Sequence, residues 1–97
     1  MTSAPHISDT ATLTVLYFAS VRELTGTSAD TLVIYEKPVT VNLIKQAIIA
    51  KHGHTSLPSL LDSCMIAVDQ EYIYDLAAPI DAAHSREIAV IPPISGG

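Results

Sequence analysis

The stretch TLTVLYFA, residues 12–19, decides the expected fold of this 97-residue chain. It is rich in β-branched and aromatic side chains, which favour a β-strand. Its apolar side chains occupy both alternating sides of such a strand: Leu13, Val15 and Tyr17 on one, Leu16 and Phe18 on the other. A strand that is apolar on both sides is typical of the interior of a sheet. We therefore predict that residues 12–19 form a central strand.

Two further elements are predicted directly after this strand. In SVRELTG, Ser20 and Glu23 have the spacing of a capping box, and Gly26 suits the left-handed conformation that ends a helix, so a short helical turn is expected. The run TLVIY, residues 31–35, predicts a second strand, and a hairpin is the simplest way to join it to the first. Pro38 lacks an N–H group to donate to a neighbouring strand, so we expect it to end this strand.

The main helix is predicted to begin after Thr40, where strand periodicity changes to helical periodicity. The Thr40 side chain can cap the first turn, and Val39 and Ile44 can form a hydrophobic staple across it. Apolar residues then recur along one helical face: Leu43, Ile44, Ala47 and Ile48. The basic pair Lys-His suits the negative end of the helix dipole, and Gly53 is expected to end the helix.

The second half of the chain predicts mostly strands. HTSLPSLLDS contains turn residues around a short helical segment. Strands are expected beyond it at residues 65–68 and 86–91, and residues 71–74 are either a short continuation of the first of these or a separate strand. Asp69 and Gln70 form a bend between residues 65–68 and 71–74, and DLAAPIDAAHS has the composition of a loop. Pro92 and Pro93 end the last strand, because proline cannot continue the pairing.

This order of elements predicts a compact α+β domain in which one main helix lies across one face of a mixed sheet. The last strand is apolar on both sides like the first, so we expect the two to pair in the interior of the sheet. We place the domain at residues 12–91, after a flexible N-terminus at residues 1–11. Residues 92–97 are expected to form an extended C-terminal tail.

Composition narrows the classes of function. With 48% hydrophobic and 15% charged residues, the chain is expected to fold. Its apolar runs fall short of the ~18 to 20 residues that cross a bilayer, and its start lacks the features of a secretory signal, so we expect a cytoplasmic protein. A formal net charge of −5 opposes binding to nucleic acid or an anionic membrane. The single cysteine, Cys64, is interpreted as a small buried residue and not as a reactive thiol.

Motifs of catalytic and metal-binding proteins are not found. The sequence has no phosphate-binding glycine loop, dinucleotide fingerprint or nucleophile elbow. His52 and His54 have no cysteine or carboxylate beside them, so we interpret them as a solvated helix end and not as metal ligands. Asp69 and Glu71 would share one face of a strand, but they are interpreted as solvated edge residues, because nothing else supports acid–base catalysis. We expect no metal, no stably bound cofactor and no enzymatic activity of the chain alone.

The C-terminal sequence IPPISGG carries the strongest functional signal. The proline pair favours a stiff, extended path, and six extended residues can reach roughly 20 Å. The two glycines have no Cβ atom, so their backbone can enter a channel too narrow for other residues. A terminal carboxylate on such an arm needs activation before a nucleophile can attack it, and we expect a second protein to supply the ATP chemistry. The predicted arm consists of Pro92, Pro93, Ile94, Ser95, Gly96 and Gly97.

Three segments resemble the small, sulfur-carrier subunits of molybdopterin synthase, a family of ubiquitin-like β-grasp proteins: LTVLYFASVRELTG, AVDQEYI and EIAVIPPISGG. The resemblance implies the β-grasp fold. It also implies that a ubiquitin-activating-like adenylyltransferase and sulfurtransferase uses ATP to adenylate Gly97 and then convert it to a thiocarboxylate. The tail would insert into the large synthase subunit, in a heterotetramer of two small and two large subunits. There it would donate sulfur to cyclic pyranopterin monophosphate in molybdenum cofactor biosynthesis.

By their positions in these motifs, Arg22, Tyr72 and Ile91 match residues near the partner-facing surface in the family. Each has a plainer interpretation that the sequence leaves open. Arg22 could be a solvated residue of a helical turn, and Ile91 could belong to the core. Tyr72 and Tyr74 share a face of their strand and could pack at the edge of the core.

Other functions stay open at this point. The same tail chemistry would serve a sulfur carrier for thiazole synthesis or tRNA thiolation. A ubiquitin-like modifier would instead be joined to lysines and would appear as a ladder of isopeptide-linked products. A non-catalytic β-grasp binding module would work without its last two glycines.

Overall fold

The computed structural model describes residues 10–81 and 86–93. This part of the chain contains β1 (Ala11–Tyr17), α1 (Ala19–Thr25), β2 (Ala29–Ile34), α2 (Val41–His52), α3 (Leu57–Asp62), β3 (Met65–Val68), β4 (Glu71–Ile73) and β5 (Arg86–Ile91). The strands form one five-stranded sheet in the order β2-β1-β5-β3-β4. The predicted α+β class, with a mixed sheet and one main helix, is confirmed.

The first and last strands lie side by side, as predicted. β1 and β5 pair in parallel, with Leu13 opposite Arg86 and Tyr17 opposite Val90. The pairings of β1 with β2, of β5 with β3 and of β3 with β4 are antiparallel. Because parallel strands end at the same edge of a sheet, the C-terminal ends of β1 and β5 are neighbours.

Among residues 10–81 and 86–93, helices cover one face of the sheet. On that face Leu13, Val15 and Ile88 are fully buried against a core that also contains residues of all three helices. On the other face Leu16 is half-buried and Phe18 is 42% exposed. β1 is therefore central in the order of strands, as its sequence predicts, but its second apolar side is open to solvent.

The ends of α2 agree with the sequence. The Leu43 N–H donates to the Thr40 side-chain oxygen at 3.2 Å, so Thr40 caps the helix as predicted. Gly53 has a φ of 65° and ends the helix in the left-handed region, also as predicted. Of the predicted stripe, Ile44 and Ile48 are fully buried, and Leu43 and Ala47 are half-buried and pack against the core at its margin. The buried side of α2 also includes Val41 and Lys45, which were not predicted.

The predicted capping box of α1 was wrong. The residue that caps this helix is Phe18, which is extended and makes no side-chain cap hydrogen bond, and Ser20 lies inside the helix. The reason is that Tyr17 still pairs with β2 through its N–H, which donates to the Ser28 carbonyl at 2.9 Å. The chain then turns sharply at Ala19, whose φ is 51°, and α1 ends at Gly26 as predicted.

The C-terminal half also follows the predicted order. α3 is the short helix expected from HTSLPSLLDS, and β3 has the predicted bounds. Asp69 and Gln70 have φ values of 50° and 73°, which is the left-handed pair of a tight two-residue hairpin. β4 ends at Ile73, one residue before the predicted limit at Tyr74.

Candidate functional site

The chain leaves the domain from the centre of the sheet. Val90 lies opposite Tyr17 on one side and Ile66 on the other, so β5 is paired along both of its edges. After Ile91, Pro92 is half-buried and Pro93 is exposed. The remaining predicted tail residues, Ile94, Ser95, Gly96 and Gly97, lie outside the described residues. The base of the tail is thus fixed by two neighbouring strands.

Large apolar side chains, exposed or half-buried, lie on the open face of the sheet next to this exit. We call them the open-face patch: Leu16, Phe18, Met65, Tyr72, Tyr74 and Ile91. Small residues form its middle, where Ala67 lies between Ala89 and Tyr72 in neighbouring strands. Exposed apolar side chains around a shallow centre are typical of a surface that binds another protein.

Two of the three predicted interface residues belong to this patch. Tyr72 is 50% exposed, and its ring lies 6.4 Å from that of Tyr74 between centroids. Ile91 lies opposite Met65 and is partly exposed, whereas the preceding Val90 is fully buried on the helix-covered face. Arg22 is exposed on α1, a separate element. That these residues contact a partner stays a prediction.

Sequence reasoning did not assign Phe18 or Met65 to a functional surface. The signal that could have found them is strand alternation. Phe18 follows the buried Tyr17, and Met65 precedes the buried Ile66, so each side chain falls on the face opposite to its buried neighbour. What the alternation does not show is which face the helices cover.

A cluster of polar groups holds the C-terminal end of β1. The Tyr17 hydroxyl donates to Asp30 Oδ2 at 2.8 Å, and His52 Nε2 lies 2.6 Å from the same oxygen. Since an ionised carboxylate only accepts hydrogen bonds, His52 donates from Nε2. Lys51 Nζ lies 3.9 Å from Asp30 Oδ1. Three elements, β1, β2 and α2, are tied together beside the strand from which the tail leaves.

Burial and charge act in opposite directions on the pKa of Asp30 and in the same direction on the pKa of Tyr17. Burial alone raises the pKa of Asp30, but hydrogen bonds from His52 and Tyr17 and the nearby positive groups outweigh it and lower that pKa below its ordinary value. The pKa of Tyr17 is raised, first by burial and then by its hydrogen bond to Asp30. Asp30 is therefore ionised and Tyr17 protonated at neutral pH.

Asp69 and Cys64, which the sequence raised as possible functional residues, have structural roles. Asp69 is exposed, as expected. It also joins the hairpin to β5, because its N–H donates to the Glu87 carbonyl at 2.8 Å and its Oδ1 accepts from the Glu87 N–H at 3.0 Å. Cys64 is half-buried, and burial raises the pKa of its thiol. Its Sγ lies 3.2 Å from the Leu60 carbonyl oxygen, as suits an unreactive packing residue.

The expectation that His52 is solvated was wrong, because its side chain is 15% exposed and lies against the Asp30 carboxylate, which comes from β2. His54 is exposed, as expected, and its Nδ1 accepts a hydrogen bond from the Ser56 N–H at 3.1 Å. Within residues 10–81 and 86–93, no group of three or more His, Cys, Asp or Glu side chains is placed to hold a metal ion. Over the same residues, each helix is too short or too polar to span a bilayer.

Comparisons with known proteins agree with this architecture. The molybdopterin synthase sulfur carrier subunit of Chlamydomonas reinhardtii is 39% identical over 85 residues, covering 86% of this chain and 95% of that protein. The small archaeal modifier protein SAMP1 of Haloferax volcanii has the same fold, with a TM-score of 0.68 and 22% identity over 89% of this chain and 99% of that one.

A third similar structure is a complex of subunits 1 and 2 of the molybdopterin-converting factor of Helicobacter pylori. Its matching chain has a TM-score of 0.56 and 20% identity, covering 89% of this chain and 99% of that one. These likenesses confirm the predicted ubiquitin-like β-grasp fold. The ThiS family profile matches residues 15–97, from the middle of β1 to the last glycine. Together with the identity to a sulfur carrier subunit, this match shows that the chain belongs to the ThiS family.

Proposed function

We propose that this protein is the sulfur carrier subunit of a molybdopterin synthase. The observation that carries the proposal is the position of β5, which is held between two strands and ends at Ile91 beside the open-face patch. A tail that starts there has a fixed base and an adjacent docking surface. Membership of the ThiS family and 39% identity to a sulfur carrier subunit of this synthase support the same function.

The proposed chemistry takes place at the carboxyl group of Gly97. An oxygen of the carboxylate attacks the α-phosphorus of ATP, pyrophosphate leaves, and a glycyl adenylate is formed. A persulfide of the sulfur donor then attacks the acyl carbon, AMP leaves, and an acyl disulfide is formed. A second thiol of the donor attacks the donor sulfur of this S–S bond, which releases the thiocarboxylate and leaves a disulfide on the donor. The thiocarboxylate sulfur is a better nucleophile than the oxygen it replaces, and it attacks a side-chain carbon of the pterin precursor, where a C–S bond forms, a C–O bond breaks and the protonated oxygen is the leaving group. Water then cleaves the acyl–sulfur bond and returns the carboxylate.

This chemistry needs two protein partners, which we propose from the family. An activating enzyme uses ATP and supplies sulfur, and a large synthase subunit binds cyclic pyranopterin monophosphate and receives the tail. The H. pylori complex, in which subunits 1 and 2 of a converting factor are bound to each other, supports a partner of the second kind. We assign the open-face patch to the large subunit, in a heterotetramer of two small and two large subunits. The carrier itself contributes the tail and the docking surface, in the cytoplasm.

Intact-mass spectrometry tests the chemistry of the tail. The full chain, co-expressed with its activating enzyme, should gain the mass difference between sulfur and oxygen. A chain that lacks Gly97 should show no such gain, because the reacting carboxyl group is then displaced from its position. The matched control removes Ser3 from the N-terminal segment and should be charged like the wild type. An unchanged mass of the full chain would contradict the proposal.

The docking surface is tested separately by Tyr72→Arg. Tyr72 is half-exposed, so the substitution should leave folding unchanged, while a charged group in the open-face patch should weaken binding of the large subunit at least tenfold. Ser59→Arg is the matched control, since Ser59 is exposed on α3, on the helix-covered side of the sheet, and the substitution adds the same charge. Calorimetric titration with the purified large subunit measures both. Equal affinities of wild type and Tyr72→Arg would remove the patch from the interface without affecting the assignment of Gly97.

A further inference from the structure

One edge of the sheet has backbone groups without hydrogen-bond partners in the described part of the chain. β2 lies at this edge, and β1 is its one neighbour in the five-stranded sheet that the structure describes. The hydrogen bond from the Tyr17 N–H to the Ser28 carbonyl fixes the alternation of this ladder. The backbone groups of Asp30 and Leu32 therefore point to β1, and those of Thr31 and Val33 point outward. Neither of the latter makes another backbone or side-chain hydrogen bond with the described residues.

The two ends of this free edge are different. Towards its start, the Ala29 N–H and carbonyl are both engaged by the Thr27 hydroxyl, at 3.4 Å and 3.0 Å. The Ala29 backbone groups are therefore not available to pair with a further strand. At the other end, Val33 is followed by Ile34 and then by Tyr35, which is 74% exposed. The accessible part of β2 thus consists of a short segment that contains four free backbone groups, enough to pair with one short strand.

An apolar groove lies between this edge and α2. Its volume is about 330 Å³, and the residues that line it include Val33, Tyr35, Leu43, Ala47 and Ala50. Leu43 and Ala47 are the residues of α2 that the sequence predicts for the core and that the structure leaves half-buried at the margin of the helix. A strand added to β2 directs every second side chain to the helix side of the sheet. Those side chains would enter the groove and cover Leu43 and Ala47.

The charge at the groove indicates which kind of strand it binds. Glu36 lines the groove just beyond the end of β2, and it has no ion-pair partner among the described residues. A basic side chain at the end of the added strand would complement this carboxylate. A second copy of the protein is a poorer occupant, because each copy carries a formal net charge of −5 and the copies repel each other.

We propose that the groove between β2 and α2 is a second docking site, which binds an extended segment of another protein by strand addition. The segment carries apolar side chains at alternate positions and a basic residue that meets Glu36. The free N–H and C=O groups of Thr31 and Val33 provide the main-chain hydrogen bonds, and the groove selects the alternate apolar side chains. β2 and β4 are at opposite edges of the sheet, separated by about 19 Å for four strand spacings. The groove and Tyr72 can therefore be occupied at the same time.

The test uses the full chain labelled with ¹⁵N and the acetylated, amidated peptide KVTITVK as the probe. Amide resonances of Thr31 and Val33 should shift on addition of the peptide, and their hydrogen exchange should slow as the N–H groups become bonded. The peptide EVTITVE should bind about two- to fivefold more weakly, because it places a like charge beside Glu36. The peptide KVTPTVK should not bind, since proline interrupts the added strand.

Two variants of the protein locate the site. Ala47→Arg fills the groove and should weaken binding of KVTITVK at least tenfold, while Glu36→Lys should reverse the preference between the lysine and glutamate peptides. Glu23→Lys makes the same charge change on exposed α1 and should change neither. Far-UV circular dichroism checks that each variant is folded.

Three results would overturn the proposal. The first is the absence of shifts at Thr31 and Val33 at millimolar peptide. The second is a set of shifts confined to the open-face patch. The third is concentration-dependent shifts along β2 without peptide, with a dimer in sedimentation, which would assign the edge to a second copy of the chain.

Discussion

Replacing Tyr17 with phenylalanine should measure how strongly the polar cluster holds the end of β1. Tyr17 is 1% exposed, and its hydroxyl donates to the Asp30 carboxylate at 2.8 Å. Tyr17→Phe keeps the buried ring and removes this one bond. A hydrogen bond to a charged group contributes about 1.5 to 3 kcal/mol. Because Asp30 keeps His52 at 2.6 Å, we expect the lower end, about 1.5 kcal/mol, or about 6 to 12 °C in the unfolding midpoint.

The pH dependence of this loss follows from the sign of the Asp30 pKa shift. The pKa of Asp30 is lowered in the folded state, so its ionised form stabilises the fold above the unfolded-state pKa of about 3.9. That contribution is lost as the pH falls through the lower folded-state pKa. The free-energy difference between Tyr17→Phe and wild type should therefore be constant from about pH 5 to 7 and shrink below about pH 4.

Urea unfolding measures the free energy and thermal unfolding the midpoint temperature; both are followed by far-UV circular dichroism, since the chain has no tryptophan to report by fluorescence. Tyr74→Phe is the matched control, because Tyr74 is 76% exposed and should give a wild-type midpoint. Two outcomes would refute the reasoning. One is an equal midpoint for Tyr17→Phe and wild type at pH 7, and the other is a difference that grows as the pH falls.

Two further predictions concern α2 and the thiol. Thr40→Ala should reduce the free energy of unfolding by about 1 kcal/mol through loss of the cap on the Leu43 N–H, and Thr40→Ser should restore most of it in the same urea assay. Full stability of the alanine variant would contradict the cap. Cys64 should react with iodoacetamide at pH 8 at least tenfold more slowly than free cysteine, because burial raises its pKa, and urea should abolish the protection. Native Cys64 that reacts at the free-thiol rate would contradict this.

The structural features that were predicted correctly from the sequence are set by residues close to one another along the chain. Thr40 and Gly53 act on the backbone within one turn of themselves, so their types indicate the two ends of α2. Ser20 was misread because the start of α1 depends on how far β1 stays paired with Ser28, which is a tertiary property. Similarly, the predicted stripe of α2 included Leu43, whose burial depends on how far the helix extends over the edge of the sheet.

The residues of the candidate site also fall into two groups: those that the local sequence indicates and those that depend on tertiary contacts. The tail residues are predicted from a local sequence motif. Tyr72 is predicted from its position in a motif and from the alternation of side chains along a strand. The contacts of Tyr17 with Asp30 and of Asp30 with His52 join residues 13 and 22 positions apart on three elements. No spacing rule connects them. The groove beside β2 was missed for a related reason, since it arises only when the edge strand and α2 are placed together.

The parallel pair of β1 and β5 has a consequence for synthesis of the protein on the ribosome. Leu13 emerges early, but its partner Arg86 follows only after nearly all of the domain has been made. Until then both β1 and β3 lack the strand that separates them, and the core residues Ile88 and Val90 are missing. The nascent chain therefore cannot complete its sheet segment by segment, and its unpaired strands are exposed to aggregation. Chaperones that hold nascent chains should bind this one until β5 has cleared the exit tunnel.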